Sequence, residues 1–294
     1  MSYDADPHSS DLPDAALSRL TPHSISSMSD FEKELAYFRI PLRDLKTATN
    51  DFAEENLLKQ GKSSDVYQGK LQLVIGRDVV IRKFSSTHPR IHDFNLWIKA
   101  ISRFNHKKFV CFIGFCDEEG EKMIVMEHVV NGSLHMHLST LNCLQRLEVC
   151  FDVAVALKDW IEVNGDRSDW YGIGFKIMLD KDWKAKFLVS FEPDKERPDW
   201  YLLGKMFLEV LYGRKVTNED VIQVKQGYDI IDPYLKKEML RDSLSLFRDV
   251  ITICFEKPED FENFGIIPRL TEAHENQWIR QNPVSNFISN QLLL

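Results

Sequence analysis

Short apolar runs recur along the first half of the chain, and turn residues separate them. The runs are rich in Val, Ile, Phe and Tyr, and Gly or acidic residues lie between them: DVYQGKL, LVIGRDVVIRKF and KFVCFIGFCDEEGEKMIVMEHV. This pattern is typical of strands. Between the second and third runs, HDFNLWIKAISRF places its apolar residues at helical spacing. Because a sheet and a helix would each leave an apolar face in water, we expect this helix to pack on an antiparallel sheet.

The pattern changes after about residue 132. Apolar residues then recur every three or four positions in three long segments: LQRLEVCFDVAVALKDWIEV, PDWYLLGKMFLEVLYGR and MLRDSLSLFRDVITICFE. This periodicity predicts amphipathic helices. The chain as a whole therefore predicts an α+β fold with a small antiparallel β lobe that carries one helix, and a larger helical lobe.

The first 36 residues differ from the rest in composition. They are rich in Ser, Asp and Pro, and their seven acidic and two basic residues give a charge of −5 out of the total of −8. Such a segment has too little apolar surface to offset the entropy lost on ordering, so residues 1–36 are predicted to form a disordered acidic leader. In the following FRIPLRDLKTATNDF, residues Leu42, Leu45 and Phe52 lie at helical spacing, and Asn50 and Asp51 favour a turn.

Composition and charge exclude several classes of function. The remaining charge of about −3 indicates neither a nucleic-acid partner nor an anionic membrane surface. No apolar run approaches the roughly 20 residues of a membrane-spanning helix, and the N-terminus lacks the pattern of a signal peptide. We therefore expect a cytoplasmic protein. The five cysteines show no CxxC spacing and His135 and His137 have no third ligand nearby, so no metal site is predicted.

Several phrases, in this order, resemble a protein kinase domain. They are IPLRDLKTATNDF, VYQGKL, FVCFIGFCDEEGEKMIVMEHVVNGSLHMHL, LQRLEVCFDVAVAL, IMLDKDWKAK and PDWYLLGKMFLEVLYGR. The similarity is to the plant receptor-like kinases, and most of all to the malectin-type receptor kinase group. It implies a two-lobed kinase-like fold, with an N-lobe over residues 37–128 and a C-lobe with a shortened activation segment over 129–257. Residues 258–294 diverge from the family pattern.

The resemblance implies that the groups which bind phosphate in the N-lobe have been replaced. Of the three glycines in the family's glycine-rich loop only Gly61 is kept, with Lys59 and Ser64 at the other two positions. Arg82 stands in place of the lysine that pairs with the nucleotide phosphates, and its planar fork is a poor substitute for a compact ammonium. Trp97 replaces the helix glutamate that would hold that lysine, and we expect it to fill the space of the ion pair.

The C-lobe departs further from the family. Tyr171 occupies the place of the catalytic base, and a phenol is a weak proton acceptor at neutral pH. Lys176 replaces the metal-binding asparagine and Val189 the metal-binding aspartate, so no Mg²⁺ is expected to bind. Asp199 is kept; it either braces the catalytic-loop backbone or simply caps a helix, and both roles are compatible.

These replacements favour a pseudokinase that acts as an interaction scaffold or regulator in receptor-like kinase signalling. Its expected partners are active receptor-like kinases or their substrates, and such a partner would recruit it to the plasma membrane. One alternative is a switch that binds ATP without turnover. Its residual nucleotide pocket would be formed by Gly61, Val66, Arg82, Met126, Glu127, His128 and Lys176. A second alternative is a weak, unorthodox Ser/Thr kinase that uses a relocated carboxylate, Asp169 or Asp180.

Overall fold

The chain divides into two compact units, Met1–His128 (unit 1) and Val129–Leu294 (unit 2). The structure is a computed structural model, and it describes residues 35–72, 76–89, 91–102, 107–164, 173–191, 200–226, 231–256 and 265–282. Among these residues no helix is both long enough and apolar enough to cross a membrane.

Unit 1 is built on a five-stranded antiparallel sheet. Its strands are β1 (Leu57–Lys59), β2 (Ser64–Leu71), β3 (Arg77–Phe84), β4 (Phe112–Glu118) and β5 (Glu121–Glu127). They lie in the order β1-β2-β3-β5-β4, so β3 is central and β4 is at an edge. In the register of the sheet, Arg82 on β3 lies opposite Val66 on β2 and Ile124 on β5. The strands predicted from the apolar runs are confirmed.

Helix α1 (Leu42–Ala48) covers one face of this sheet. Leu42 and Leu45 join the main core of unit 1, together with Ile40, Leu71, Val79, Ile81, Ile113, Cys116, Met123 and Val125. The helix is shorter than the apolar spacing suggested, because Phe52 lies beyond its end. Asn50, Asp51 and Phe52 have φ values of 52°, 56° and 55°, a left-handed conformation that Asn and Asp tolerate better than most residues.

Helix α2 (Phe94–Ser102) supplies a second apolar surface of unit 1. Phe94, Trp97, Ile98 and Ile101 are all buried, as their spacing predicted. Phe94 lies against Phe115 of β4, with 6.1 Å between the ring centroids. The predicted packing of this helix on the antiparallel sheet is therefore confirmed.

Residues 37–41, which we call the strap, connect the predicted leader to α1. The backbone N–H of Ile40 donates to the carbonyl of Phe115, and the N–H of Phe115 donates to the carbonyl of Phe38. The predicted leader lies outside the described residues except for its last two, Leu35 and Ala36. Both of these side chains are buried, so ordered structure begins at least two residues before the expected boundary.

Unit 2 is mainly helical, as predicted. Its helices are α3 (Cys143–Asn164), α4 (Trp200–Tyr212), α5 (Asn218–Lys225), α6 (Pro233–Glu238), α7 (Arg241–Glu256) and α8 (Ile266–Gln281). Arg146 on α3 is buried and connects three of these helices. Its guanidinium donates to the carbonyl of Val210 on α4 at 2.6 Å and to the carboxylate of Asp232, the N-cap of α6, at 2.8 Å. Helix α8 lies in the divergent segment 258–294, yet it buries Leu270 and Ala273 and packs on α3 and α7.

Residues 173–191, which include the phrase IMLDKDWKAK, form a β-hairpin. Strands β6 (Ile173–Leu179) and β7 (Ala185–Phe191) pair along their full length, from Ile173 opposite Phe191 to Leu179 opposite Ala185. From Lys176 to Leu179 the side chains alternate between half-buried and buried positions, as expected of a strand with one face in the core. The hairpin therefore depends on pairing between residues up to 18 positions apart, such as Ile173 and Phe191.

Candidate functional site

Arg82, which the resemblance places at the phosphate-binding lysine of the family, makes contacts within unit 1. The Nε of Arg82 donates to the Oγ of Ser64 at 2.9 Å. Its guanidinium carbon lies 5.0 Å from the ring centroid of Phe84, a cation–π contact. The resemblance places Ser64 at a glycine of the family's loop, so the side chains at two of the predicted replacements contact each other directly. Together they hold the positive charge against the sheet.

The turn that contains Gly61 is closed by the side chain of Asp65. The backbone N–H of Gly61 donates to Oδ1 of Asp65 at 3.2 Å. The turn is also tight, since a Cβ at Gly61 would lie 2.7 Å from the carbonyl oxygen of Ser64. In a phosphate-binding loop such an amide points at the ligand, but here it binds a carboxylate. A negative charge at this place disfavours a second anion.

The neighbouring lysine does not replace the missing anchor. Lys83 lies on the opposite face of β3 from Arg82, where its Nζ binds the Glu121 carboxylate at 2.8 Å. The same ammonium lies 4.9 Å from the ring centroid of Phe52. Strand alternation therefore separates the two cations.

Trp97, which the resemblance places at the helix glutamate of the family, is 4% exposed. It belongs to a group of rings that we call the ring cluster, formed by Phe84, His88, Phe94, Trp97 and Phe115. The indole lies 5.7 Å from the ring of Phe84 and 5.3 Å from that of His88. The indole of Trp97 is therefore packed against other aromatic rings of unit 1.

The strand end at residues 126–128 is bonded to its own unit. The N–H of Glu127 donates to the carbonyl of Cys111 at 3.0 Å, and that of His128 donates to the carbonyl of Asp78 at 3.3 Å. The Glu127 carboxylate accepts the N–H of Cys111 and lies 3.4 Å from the guanidinium of Arg77. Met126 is buried. The amides of Glu127 and His128 are thus already used in unit 1.

In unit 2, the two positions that would bind metal point to opposite faces of the β6–β7 hairpin. Lys176 lies opposite Leu188, whereas Val189 lies opposite Phe175. Residues paired in this way share a face, and successive residues alternate. Val189 is on the buried face and is 6% exposed, whereas Lys176 is half-buried on the other face. Neither side chain offers Mg²⁺ an oxygen ligand.

The remaining predicted site residues are structural or outside the described part. Asp180 accepts the backbone N–H groups of Asp182 and Lys184 at 2.9 Å each, so its carboxylate shapes the β6–β7 turn. Tyr171, Asp169 and Asp199 lie outside the described residues.

His135 and His137, for which no metal site is predicted, make separate contacts. The Nε2 of His135 lies 2.9 Å from the Glu209 carboxylate, and that of His137 lies 2.7 Å from the carbonyl of Asn131. Among the described residues no group of three His, Cys, Asp or Glu side chains could hold a metal ion.

Sequence reasoning missed the part played by Asp65 and the contact between Ser64 and Arg82. The four-residue spacing of Gly61 and Asp65 was visible, but nothing in it marked a closed turn. The pairing of Ser64 with Phe84, which brings Arg82 within reach, is a property of strand register. Of the predicted pocket residues, Gly61, Val66, Arg82, Met126, Glu127 and His128 belong to unit 1, and Lys176 belongs to unit 2.

Comparison with known proteins agrees with this fold. A family model described as protein tyrosine and serine/threonine kinase matches residues 52–163. The solved pseudokinase domain of BIR2, described as an immune regulator of the RLK/Pelle family, superposes with a TM-score of 0.58 at 20% identity. The match covers 83% of this chain and 88% of that one. The fold is therefore that of a protein kinase domain.

Curated relatives of the chain include plant receptor-like kinases. The receptor-like protein kinase HERK 1 of Arabidopsis thaliana is 33% identical over 222 residues, a match that covers 72% of this chain and 24% of the relative. BSK12 of the same plant, named a probable inactive receptor-like kinase, is 27% identical, with 72% and 50% covered. The chain thus spans about a quarter of HERK 1 and half of BSK12. It is a protein kinase domain whose homologues are plant receptor-like kinases, which confirms the resemblance found in the sequence.

Proposed function

We propose that this kinase domain transfers no phosphate and acts as a regulator that binds other proteins in receptor-like kinase signalling. The observation that carries the proposal is the β6–β7 hairpin, where Lys176 and Val189 lie on opposite faces. Phosphoryl transfer depends on metal ions that bridge the phosphates and neutralise the developing charge. A cation on one face and an alkyl group buried on the other offer Mg²⁺ no oxygen ligand.

The contacts in unit 1 support the same proposal. Arg82 is bound to Ser64 and Phe84, and the Gly61 amide is bound to the Asp65 carboxylate. A nucleotide would have to break both interactions to gain a phosphate site. We therefore propose that ATP is not a resident ligand and that the nucleotide-switch alternative is the less favoured one.

The names of two similar proteins are consistent with a regulatory role. BIR2 is described as an immune regulator with a pseudokinase domain, and BSK12 as a probable inactive receptor-like kinase. By analogy, the proposed partner is the active kinase domain of a receptor-like kinase, or a substrate of one. We propose that this partner brings the protein to the cytoplasmic side of the plasma membrane.

The direct test is a phosphate-transfer assay with radiolabelled ATP, in Mg²⁺ and in Mn²⁺, on the purified chain and on a general protein substrate. The kinase domain of HERK 1 serves as the reference. We expect no incorporation above that of a heat-denatured sample. Incorporation that is lost in an Asp180→Asn or Asp169→Asn variant would refute the proposal and revive the unorthodox kinase.

Thermal unfolding with and without ATP, each in Mg²⁺ and in EDTA, tests the nucleotide-switch alternative. A ligand at about 100 times its Kd would stabilise the chain by roughly 2.7 kcal/mol. We expect no shift of the midpoint. A shift that survives EDTA and disappears in Arg82→Ala would instead establish a metal-free nucleotide switch.

A further inference from the structure

Helix α2 is joined to the sheet of unit 1 by aromatic rings instead of charges. Trp97 lies 5.7 Å from Phe84 on β3 and 6.5 Å from Phe94 one turn earlier on its own helix. Phe94 in turn lies 6.0 Å from Phe84 and 6.1 Å from Phe115. The helix sequence, FNLWIKAIS, contains no acidic residue. Residues Phe94–Ser102 of the helix therefore offer no carboxylate to a cation of the sheet.

Two cations lie on the outside of the ring cluster. The guanidinium of Arg82 is 5.0 Å from the centroid of Phe84, and the ammonium of Lys122 is 5.0 Å from that of Phe94. Lys122 also binds the Asp117 carboxylate at 2.7 Å. These two positive charges thus contact aromatic rings, and that of Lys122 also contacts a carboxylate of the sheet.

An ion pair and a buried ring cluster respond differently to their surroundings. Salt screens an ion pair, and an added phosphate competes for its cation. Burial of apolar surface is non-directional, and it offers neither a charge for salt to screen nor a cation for phosphate to bind. Moving α2 away would expose four large apolar side chains, those of Phe94, Trp97, Ile98 and Ile101, all of which are now buried.

We propose that the ring cluster is a lock that keeps α2 in one position on the sheet, whatever the nucleotide or salt concentration. This inference rests on the proposed non-catalytic function, because a domain that acts by binding other proteins benefits from a constant surface. Trp97 is the positioning residue of this lock, and Phe84 links it to Arg82.

Hydrogen exchange followed by mass spectrometry tests the lock. In the wild-type chain, we expect the amides of α2 to keep the same protection in 50 mM and 1 M NaCl, with or without ATP and Mg²⁺. Trp97→Glu should speed their exchange by roughly 100-fold, a size typical of removing a large buried aromatic side chain. Leu96→Glu is the matched control, because Leu96 is the preceding residue and is 63% exposed. It should change the exchange of α2 by no more than about threefold.

A second pair of variants covers the case in which Trp97→Glu does not fold. Trp97→Leu keeps an apolar side chain without the ring, and it should speed the exchange of α2 by about tenfold while β3 and β5 stay protected. The double variant Trp97→Glu with Arg82→Lys rebuilds an ion pair. In this variant the protection of α2 should become salt-dependent, with lower protection in 1 M NaCl than in 50 mM.

The lock is refuted if wild-type α2 loses protection with salt, if its protection changes with ATP, or if Trp97→Leu and Leu96→Glu behave alike. These results are independent of catalysis. Phosphate transfer with an unchanged α2 would refute the proposed function alone, whereas a mobile α2 without phosphate transfer would refute the lock alone.

Discussion

Restoring the family's metal-binding aspartate in this chain should destabilise it without creating a magnesium site. The change is Val189→Asp, which is nearly isosteric and leaves no cavity. Val189 is 6% exposed on the buried face of the β6–β7 hairpin. Losing the burial of the valine removes about 1.5 kcal/mol. A carboxyl group buried there has its pKa raised by about 2 to 3 units, which costs about 3 to 4 kcal/mol at pH 7.

The expected loss is therefore about 4 to 6 kcal/mol in the free energy of unfolding. In a chain of this size it should lower the melting temperature by roughly 10 to 20 °C. Thermal unfolding, recorded by circular dichroism with and without 10 mM Mg²⁺, measures both parts of the prediction. Mg²⁺ should not change the melting temperature of the variant, because the new carboxylate would be a single oxygen ligand and the lysine at 176 supplies none.

Leu188→Asp is the matched control. Leu188 is half-buried on the opposite face, directly across from Lys176, so its replacement should cost about 1 kcal/mol or less. The two variants should also differ in their pH dependence. Because burial raises the folded-state pKa of the new carboxyl in Val189→Asp above its unfolded value near 3.9, its penalty is full above that folded pKa and shrinks as the pH falls towards 4. Stabilisation of Val189→Asp by Mg²⁺, or a smaller loss than in Leu188→Asp, would refute the reasoning.

Three further predictions follow from other parts of the fold. Gly114→Ala should destabilise unit 1 by about 1 to 3 kcal/mol, because the new Cβ would lie 2.4 Å from the carbonyl oxygen of Phe38. Urea unfolding measures the loss, and faster limited proteolysis of the strap should accompany it; wild-type stability would contradict the close approach. Burial lowers the pKa of His274 below its ordinary value of 6.5. The unfolded state therefore binds the proton more readily, so the contribution of this group is present above pH 6.5 and declines as the pH falls. A His274→Gln variant should lose less stability than the wild type between pH 7 and pH 5, and identical pH profiles would count against this. Burial also raises the pKa of Cys116 to about 11 and that of Cys254 to about 12. Both thiols should react with a thiol reagent only after unfolding, and their rapid labelling in the native protein would contradict this burial.

Much of the fold could be predicted because local patterns and tertiary packing agree. The period of apolar residues in FNLWIKAIS predicted both a helix and its buried side chains, and the structure has them. The prediction failed where a local signal was overruled. Phe52 has helical spacing with Leu45, but Asn50 and Asp51 adopt left-handed conformations and end the helix first. Periodicity reports which residues are apolar, and it does not report where the backbone turns.

The sequence alone determined which side chains stand where the resemblance places the catalytic groups of a kinase. Tyrosine at 171 is a weak proton acceptor at neutral pH, and lysine at 176 and valine at 189 carry no oxygen ligand for Mg²⁺, because these are covalent properties of the side chains. Only the tertiary structure decided what the replacements contact instead. Arg82 meets Ser64, 18 residues away along the chain, and Lys176 turns away from Val189. Both facts depend on the register between strands, since a shift of one residue would move every side chain of a strand to the other face.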